Sequence, residues 1–187
     1  MKPITSARSK HGDPNFKYMR LSRRFLPVAL FFLCVLSLQT SYGQTRPLKT
    51  DYTVTLLDVG KQQFHVTTDI RGIAQPQLSL SLPTWTPGWY TVENYFKNVL
   101  RFRVTDASGK VLSPRMSRKQ KWNIDTRGIK EIKVDYDYQA TILALNQAKI
   151  TDDYAFFTGI ELFLQADGHR KEMSTVHFKL PNDWKII

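Results

Sequence analysis

The sequence predicts an all-β protein, an antiparallel β-sandwich preceded by a cleavable hydrophobic signal helix. Three observations support this fold class. Apolar and polar residues alternate with period two in much of residues 51–187, turn-forming residues separate the alternating runs, and no convincing amphipathic helix lies between them. About eight short strands in this arrangement are typical of two packed antiparallel sheets.

An apolar run near the N-terminus is typical of a secretory signal. Residues 25–38 read FLPVALFFLCVLSL, arginines precede them, and small residues precede a predicted cleavage after Gly43. An uncleaved membrane anchor is the alternative. A spanning helix needs about 20 apolar residues, and this run is shorter and contains Pro27. We therefore predict a cleaved signal and export to the periplasm or the medium.

The segments around this run give the predicted domain organisation. Residues 1–18 are polar and unpatterned, so we interpret them as an upstream extension and Met19 as a more natural start than Met1. The signal peptide then spans residues 19–43, and a polar lead covers residues 44–50. No composition shift divides the remainder, which is predicted to be one domain over residues 51–187.

Much of the basic charge lies in the predicted leader. The chain has 27 Lys and Arg against 16 Asp and Glu, a net charge of +11, but residues 44–187 alone carry only +5. This ordinary surface gives no reason to expect a nucleic-acid partner, and membrane contact is expected only through the signal. The one cysteine, Cys34, lies in the signal, which excludes disulfides and thiolate chemistry from the mature domain.

The predicted strands follow one another between turn signals. They are Tyr52–Leu57, Gln63–Ile70, Leu78–Leu82, Leu100–Thr105, Trp122–Ile124, Lys130–Ala140, Glu161–Gln165 and Ser174–Leu180. Alternation places Val176, Phe178 and Leu180 on the inward face of the last strand. Residues 106–109, DASG, predict a hairpin turn.

No motif for catalysis or metal binding is present. His65, His169 and His177 lack metal-ligand spacing, so we interpret them as solvent-facing or hydrogen-bonded residues. The basic segment Lys110–Lys121 lacks interleaved aromatic residues and is predicted to be a solvated loop rather than a phosphate-binding patch.

Three acidic residues provide carboxylates of the kind that calcium sites and acid–base pairs use. They are Asp152, Asp153 and Glu161. Their spacing fits no known calcium loop. We therefore predict that they occupy a turn and solvated strand ends.

The most distinctive stretch reads LPTWTPGWY over residues 82–90. Pro87-Gly88 suits a type II turn, in which glycine supplies the positive φ, and Trp85, Trp89 and Tyr90 cover this turn with large rings. Two interpretations stay open, a structural corner capped by aromatic residues and an exposed aromatic binding surface.

A series of short motifs continues from this stretch to the end of the chain. They are L-P-x-W-x-P-G-x-Y at 82–90, Y-F-K-N-V at 95–99, V-D-Y at 134–136, E-L-F-L at 161–164 and L-P-x-x-W at 180–184. In this order and spacing they resemble the N-terminal domain of the glycyl aminopeptidase family of gluzincin zinc metallopeptidases. The resemblance covers residues 51–187.

The resemblance implies a saddle-like β-sandwich that precedes a thermolysin-like catalytic domain bearing zinc and H-E-x-x-H. This sequence contains no H-E-x-x-H, so the chain is expected to be a non-catalytic fragment without a cofactor of its own. Its expected partner is the catalytic domain, and it meets peptide substrate indirectly as a wall of the cleft. By analogy, Tyr154, Phe157 and Thr158 are expected to lie nearest the substrate.

A different class of protein fits the same residues. A free-standing secreted β-sandwich could bind peptide, glycan or a protein partner through the aromatic surface of Trp85–Tyr90. The reading frame beyond Ile187 distinguishes the two hypotheses, because only the peptidase fragment predicts a downstream H-E-x-x-H.

Overall fold

The computed structural model describes residues 47–56, 58–85, 88–118 and 120–187. The predicted upstream extension, the signal peptide and its cleavage position, residues 44–46 of the polar lead and Pro87 lie outside these residues. In the part of the chain that is described, no helix is long and apolar enough to cross a membrane.

The described residues are mostly β-structure, which confirms the all-β prediction. The strands are β1 (Lys49–Thr55), β2 (Gln63–Arg71), β3 (Gln77–Ser81), β4 (Val99–Asp106), β5 (Val111–Leu112), β6 (Arg115–Arg118), β7 (Lys121–Asp125), β8 (Glu131–Gln139), β9 (Lys149–Ile150), β10 (Ala155–Phe156), β11 (Gln165–Ala166) and β12 (Ser174–Lys179). One short helix, α1 (Gly159–Leu162), and two 3₁₀ turns, Val59–Lys61 and Tyr95–Asn98, accompany them.

Two larger sheets and one small ribbon organise these strands. The six-stranded sheet has the order β12-β1-β2-β8-β4-β5, the four-stranded sheet has the order β11-β3-β7-β6, and β9 pairs with β10. The named pairs are antiparallel except for β1 and β12, which run parallel. The expectation of a wholly antiparallel fold is therefore wrong at this edge. No hairpin joins β12 to β1, so turn geometry does not set their relative direction.

One hydrophobic core takes residues from both larger sheets. Phe64, Val66 and Ile70 of β2 are buried on one face, as the alternation predicts. The rings of Phe102 from β4 and Trp122 from β7 stack with centroids 4.9 Å apart. Burying each such large apolar side chain contributes roughly 1.5–3 kcal/mol.

The hairpin after β4 is confirmed. The N–H of Gly109 donates to the carbonyl of Asp106 at 3.0 Å, Gly109 has φ +85°, and β5 pairs antiparallel with β4. The prediction of a solvated loop over Lys110–Lys121 is wrong in part, because β5 and β6 lie within it and β6 pairs with β7. These strands are two and four residues long, too short for a period-two pattern to show.

Two predictions near the end of the chain are also corrected. Residues Glu161–Gln165 do not form a strand, because Thr158 and Glu161 form a capping box that begins α1 and only β11 follows. Val176 was predicted to face inward, but its exposed fraction is 39 %. β12 is the last strand of its sheet, so the inward side of Val176 is only partly covered.

Candidate functional site

The first candidate region is the aromatic turn, residues 82–93. Trp85 and Tyr90 are 54 % and 96 % exposed, whereas Trp89 is half-buried. Gly88 has φ +86°, the left-handed conformation expected of it. Of the residues predicted for this surface, Pro87 lies outside the described part of the chain. The turn thus combines exposed rings with one ring that faces inward.

The anchor of the aromatic turn is Glu93. Its carboxylate accepts hydrogen bonds from Trp89 Nε1 at 2.8 Å and from Asn146 Nδ2. Its main chain closes the turn, because the Glu93 N–H donates to the carbonyl of Thr84 at 2.9 Å and Gln120 Nε2 donates to the Glu93 carbonyl at 2.6 Å. One residue therefore ties together three stretches of chain that are distant in sequence.

A second carboxylate, Glu161, lies near Glu93 and is fully buried. Its Oε1 accepts from the N–H of Thr158 at 2.8 Å. Burial, and to a smaller extent the negative charge of Glu93, raise the pKa of Glu161 to about 7, although the hydrogen bonds from Thr158 act to lower it. The prediction of a solvated strand end is wrong for Glu161, although Asp152 and Asp153 are exposed as predicted.

Tyr138 interacts electrostatically with both of these acids. Asn98 Nδ2 donates to the Tyr138 hydroxyl at 3.2 Å, and burial, followed by the charges of Glu161, Tyr95 and Glu93, raises the pKa of Tyr138. We call Glu93, Glu161, Tyr138 and Asn146 the carboxylate cluster. Sequence reasoning missed it, although the spacing of Thr158 and Glu161 is a readable capping signal.

The second candidate region is an apolar groove of about 560 Å³. Its side chains come from separate stretches of the chain, among them Leu143, Tyr154, Phe156, Phe157, Phe178, Leu180, Trp184 and Ile186. Phe157 lies at its base, where its ring contacts Phe64 edge-on at 5.2 Å and Phe178 at 6.2 Å between centroids. At its rim, Leu143, Tyr154 and Phe156 are 60 %, 43 % and 37 % exposed.

The three residues predicted to lie nearest the substrate are partly brought together here. Tyr154 and Phe157 both line the groove. Thr158 does not, because its main chain and hydroxyl are hydrogen-bonded to Glu161. Leu143 and Trp184 were not predicted for this surface, and only the L-P-x-x-W motif drew attention to Trp184.

Within the described residues, no group of three His, Cys, Asp or Glu side chains is placed to hold a metal ion. His65 Nδ1 lies 2.8 Å from an Asp137 oxygen, and His169 Nδ1 lies 2.8 Å from a Glu172 oxygen. These histidines are held by carboxylates within the fold, and His177 is exposed on β12.

Comparisons with known proteins agree with this fold. The family described as the Peptidase M61 N-terminal domain matches residues 51–187. Among solved structures, the crystal structure of the aminopeptidase N family protein from Idiomarina loihiensis is similar, with a TM-score of 0.64 and 24 % identity. The match covers 71 % of this chain but 22 % of that chain, so this chain spans a small part of that protein. No curated protein sequence matches the chain.

Proposed function

This chain belongs to the peptidase M61 family, of which it carries the N-terminal domain, and we propose that it is the non-catalytic first domain of an exported, glycyl-aminopeptidase-like zinc metallopeptidase. In this proposal the two sheets form a saddle-like β-sandwich. The domain packs against the catalytic domain and forms one wall of the substrate cleft. Zinc and the H-E-x-x-H motif belong to the catalytic domain, and the chain alone has no peptidase activity.

The apolar groove is the observation that supports docking. Contiguous apolar surface with aromatic side chains is typical of interaction sites, since leaving it in water is unfavourable. Three of the side chains that line the groove, Tyr154, Phe156 and Leu143, are exposed to solvent. The groove therefore suits a partner that presents apolar side chains rather than a charged ligand.

The position of the last residues favours the catalytic domain as this partner. Trp184, Lys185, Ile186 and Ile187 line the groove. In a longer family member the polypeptide that follows this domain therefore leaves it at the groove. Most of the similar Idiomarina loihiensis chain lies outside the matched region. That chain is therefore long enough to contain such a partner domain.

Export is the second part of the proposal. The signal over residues 19–43 would carry the domain to the periplasm or the medium and be removed after Gly43. N-terminal sequencing of the exported protein tests this directly. The expected first residue is Gln44, and an intact N-terminus at Met1 or Met19 on a membrane-bound product would contradict cleavage.

Docking is tested by reconstitution. A catalytic domain from a longer M61 protein is produced separately and mixed with the chain, with a Tyr154→Ser, Phe156→Ser double variant as the probe and Trp85→Ser, Tyr90→Ser as the matched control. Removing exposed aromatic area from the groove is expected to weaken association at least tenfold, while the control leaves it unchanged. Stoichiometric zinc and amide-bond cleavage by the chain alone would overturn the proposal.

The alternative function is a free-standing binder of peptide, glycan or protein. The observation that favours it is the exposure of Trp85 and Tyr90 on the aromatic turn. It predicts that the chain does not associate with the catalytic domain. Binding of its own peptide, glycan or protein ligand would be lost with the Trp85→Ser, Tyr90→Ser variant and kept with the groove variant.

A further inference from the structure

The carboxyl group of Glu161 is sealed inside the domain. Its side chain has no exposed surface. Oε1 accepts from the Thr158 N–H at 2.8 Å and from the Thr158 hydroxyl at 3.4 Å. Oε2 has no hydrogen-bond partner among the described residues. A buried carboxylate needs strong donors or a cation to compensate for lost hydration, and this oxygen has neither.

The groups that face Glu161 do not supply a positive charge. Glu93 lies in the stretch before the Tyr95–Asn98 turn, and its negative charge raises the pKa of Glu161. Tyr138 of β8 interacts electrostatically with Glu161, and also with Tyr95 of the 3₁₀ turn. The interactions found at Glu161 in the described chain involve acids, hydroxyls and main-chain N–H groups.

We propose that Glu161 is a proton-binding site of the folded domain, occupied as the neutral carboxylic acid, and that release of this proton to water weakens the segment 158–164. In the neutral form one oxygen keeps the Thr158 hydrogen bond and the other carries the proton. In the ionised form a full charge is buried beside Glu93 without compensation.

The segment that would be weakened supports the apolar groove. The Tyr52 hydroxyl donates to the Leu164 carbonyl at 2.6 Å, and the Tyr136 hydroxyl donates to the Leu162 carbonyl. The ring of Phe163 contacts Phe157, the base of the groove, at 5.9 Å between centroids. Proton binding at Glu161 therefore stabilises the apolar groove. That this helps docking rests on the proposed function, whereas the proton site at Glu161 does not depend on the proposed function.

The sign of the pH dependence follows from burial. The pKa of Glu161 is about 7 in the folded domain, against an ordinary value of 4.5. Between these pH values the folded chain binds more protons at this site than the unfolded chain. The stabilisation is therefore complete below pH 4.5 and is lost as the pH rises through 7.

Denaturant unfolding of the chain between pH 4.5 and 8.5 tests the proposal. The ratio of the unfolding equilibrium constants of the wild type and Glu161→Gln isolates this site, since other titrations cancel. The ratio is expected to rise by up to roughly 100-fold across this range. Glu131→Gln, which changes an exposed glutamate on β8, is the control and should give a constant ratio.

Carbon-13 NMR of the Glu161 carboxyl group provides a second measurement on the wild-type chain, which does not depend on the variant folding. A titration midpoint near pH 7 is expected. A midpoint near 4.5, or a Glu161→Gln ratio that is independent of pH, overturns the proton site. Failure of the reconstitution with a catalytic domain would leave these two results unchanged, so the two proposals fail separately.

Discussion

The aromatic turn and the apolar groove are both rich in exposed rings, but they are built in different ways. The turn is a continuous stretch in which Trp85 and Tyr90 point outward and Trp89 is held by Glu93. The groove collects side chains from β1, β2, β10, β12 and the stretches between and after them, with Phe157 at its base. A distinctive run of aromatic residues thus marks a local turn, while the larger apolar surface is assembled from residues distant in sequence.

The carboxylates of the two regions also differ in burial and in hydrogen bonding. Glu93, at the turn, is half-buried and receives several N–H donors. Glu161, within the segment 158–164 that supports the groove, is fully buried and has one oxygen without a partner among the described residues. The same type of side chain therefore acts as an anchor at one region and as a proton-sensitive element at the other.

The largest expected effect is on the free energy of unfolding, and it comes from a substitution at the base of the groove. Phe157→Ala removes a ring that contacts Phe64, Phe163 and Phe178. Because Phe157 is half-buried, we expect a loss of roughly 2–4 kcal/mol in the free energy of unfolding. Trp85→Ala, the matched loss of an exposed ring, is expected to change it by less than about 0.5 kcal/mol. Chemical denaturation measures both, and equal losses would contradict the distinction.

The next effect concerns the anchor of the turn. Glu93→Ala leaves Trp89 and Asn146 without an acceptor, and we expect it to lower the free energy of unfolding by roughly 1–3 kcal/mol. Glu93→Gln keeps an acceptor oxygen and removes the negative charge, so it should lower stability less. It should also lower the pKa of Glu161, because the charge of Glu93 raises it. NMR titration of Glu161 in Glu93→Gln checks this coupling, and an unchanged midpoint would exclude it.

A smaller effect on stability is expected from a substitution at Gly88 in the aromatic turn. Gly88 has φ +86°, and an added Cβ would meet no atom of the described residues within 4 Å, so Gly88→Ala is expected to introduce backbone strain rather than a clash with them. We expect the free energy of unfolding to fall by about 1 kcal/mol. The tryptophan fluorescence should also change, because Trp85 and Trp89 lie in this turn. A comparable change at the groove, seen as altered amide shifts of β12, would show that the regions are not independent.

The smallest effect on stability is expected from surface variants. Leu143→Ser with Tyr154→Ser removes two exposed groove side chains, and we expect less than about 0.5 kcal/mol of destabilisation. Binding of a hydrophobic dye should nevertheless fall several-fold, because the groove loses apolar area. Tyr90→Ser with Val92→Ser is the control at the turn. An equal fall in dye binding with the control would indicate that the turn is the main apolar surface.

Some features of the fold were readable from the sequence because they are local. Alternation over Gln63–Ile70 predicts which side chains of β2 are buried, and residues 106–109 predict the hairpin. α1 was missed because the same residues, Glu161–Gln165, also fit an apolar strand of five residues. A short apolar run does not distinguish a strand from a buried helical turn.

The candidate site was predicted only in part. Tyr154 and Phe157 do line one surface, whereas Thr158 is turned toward Glu161. Leu143 and Trp184 reach the same groove from stretches that carry no common periodic pattern. Whether an apolar residue such as Val176 is covered depends on which strand lies next to it, and alternation does not contain that information.

The sequence by itself determined the class of fold, much of the inward face of β2, the hairpin after β4 and membership of the M61 family, because each follows from a local pattern or an ordered set of motifs. The tertiary structure alone decided that β12 runs parallel to β1, that the groove exists and that Glu161 is buried near Glu93. These features depend on contacts between residues far apart in sequence, and burial and electrostatic interaction are set by distance in space.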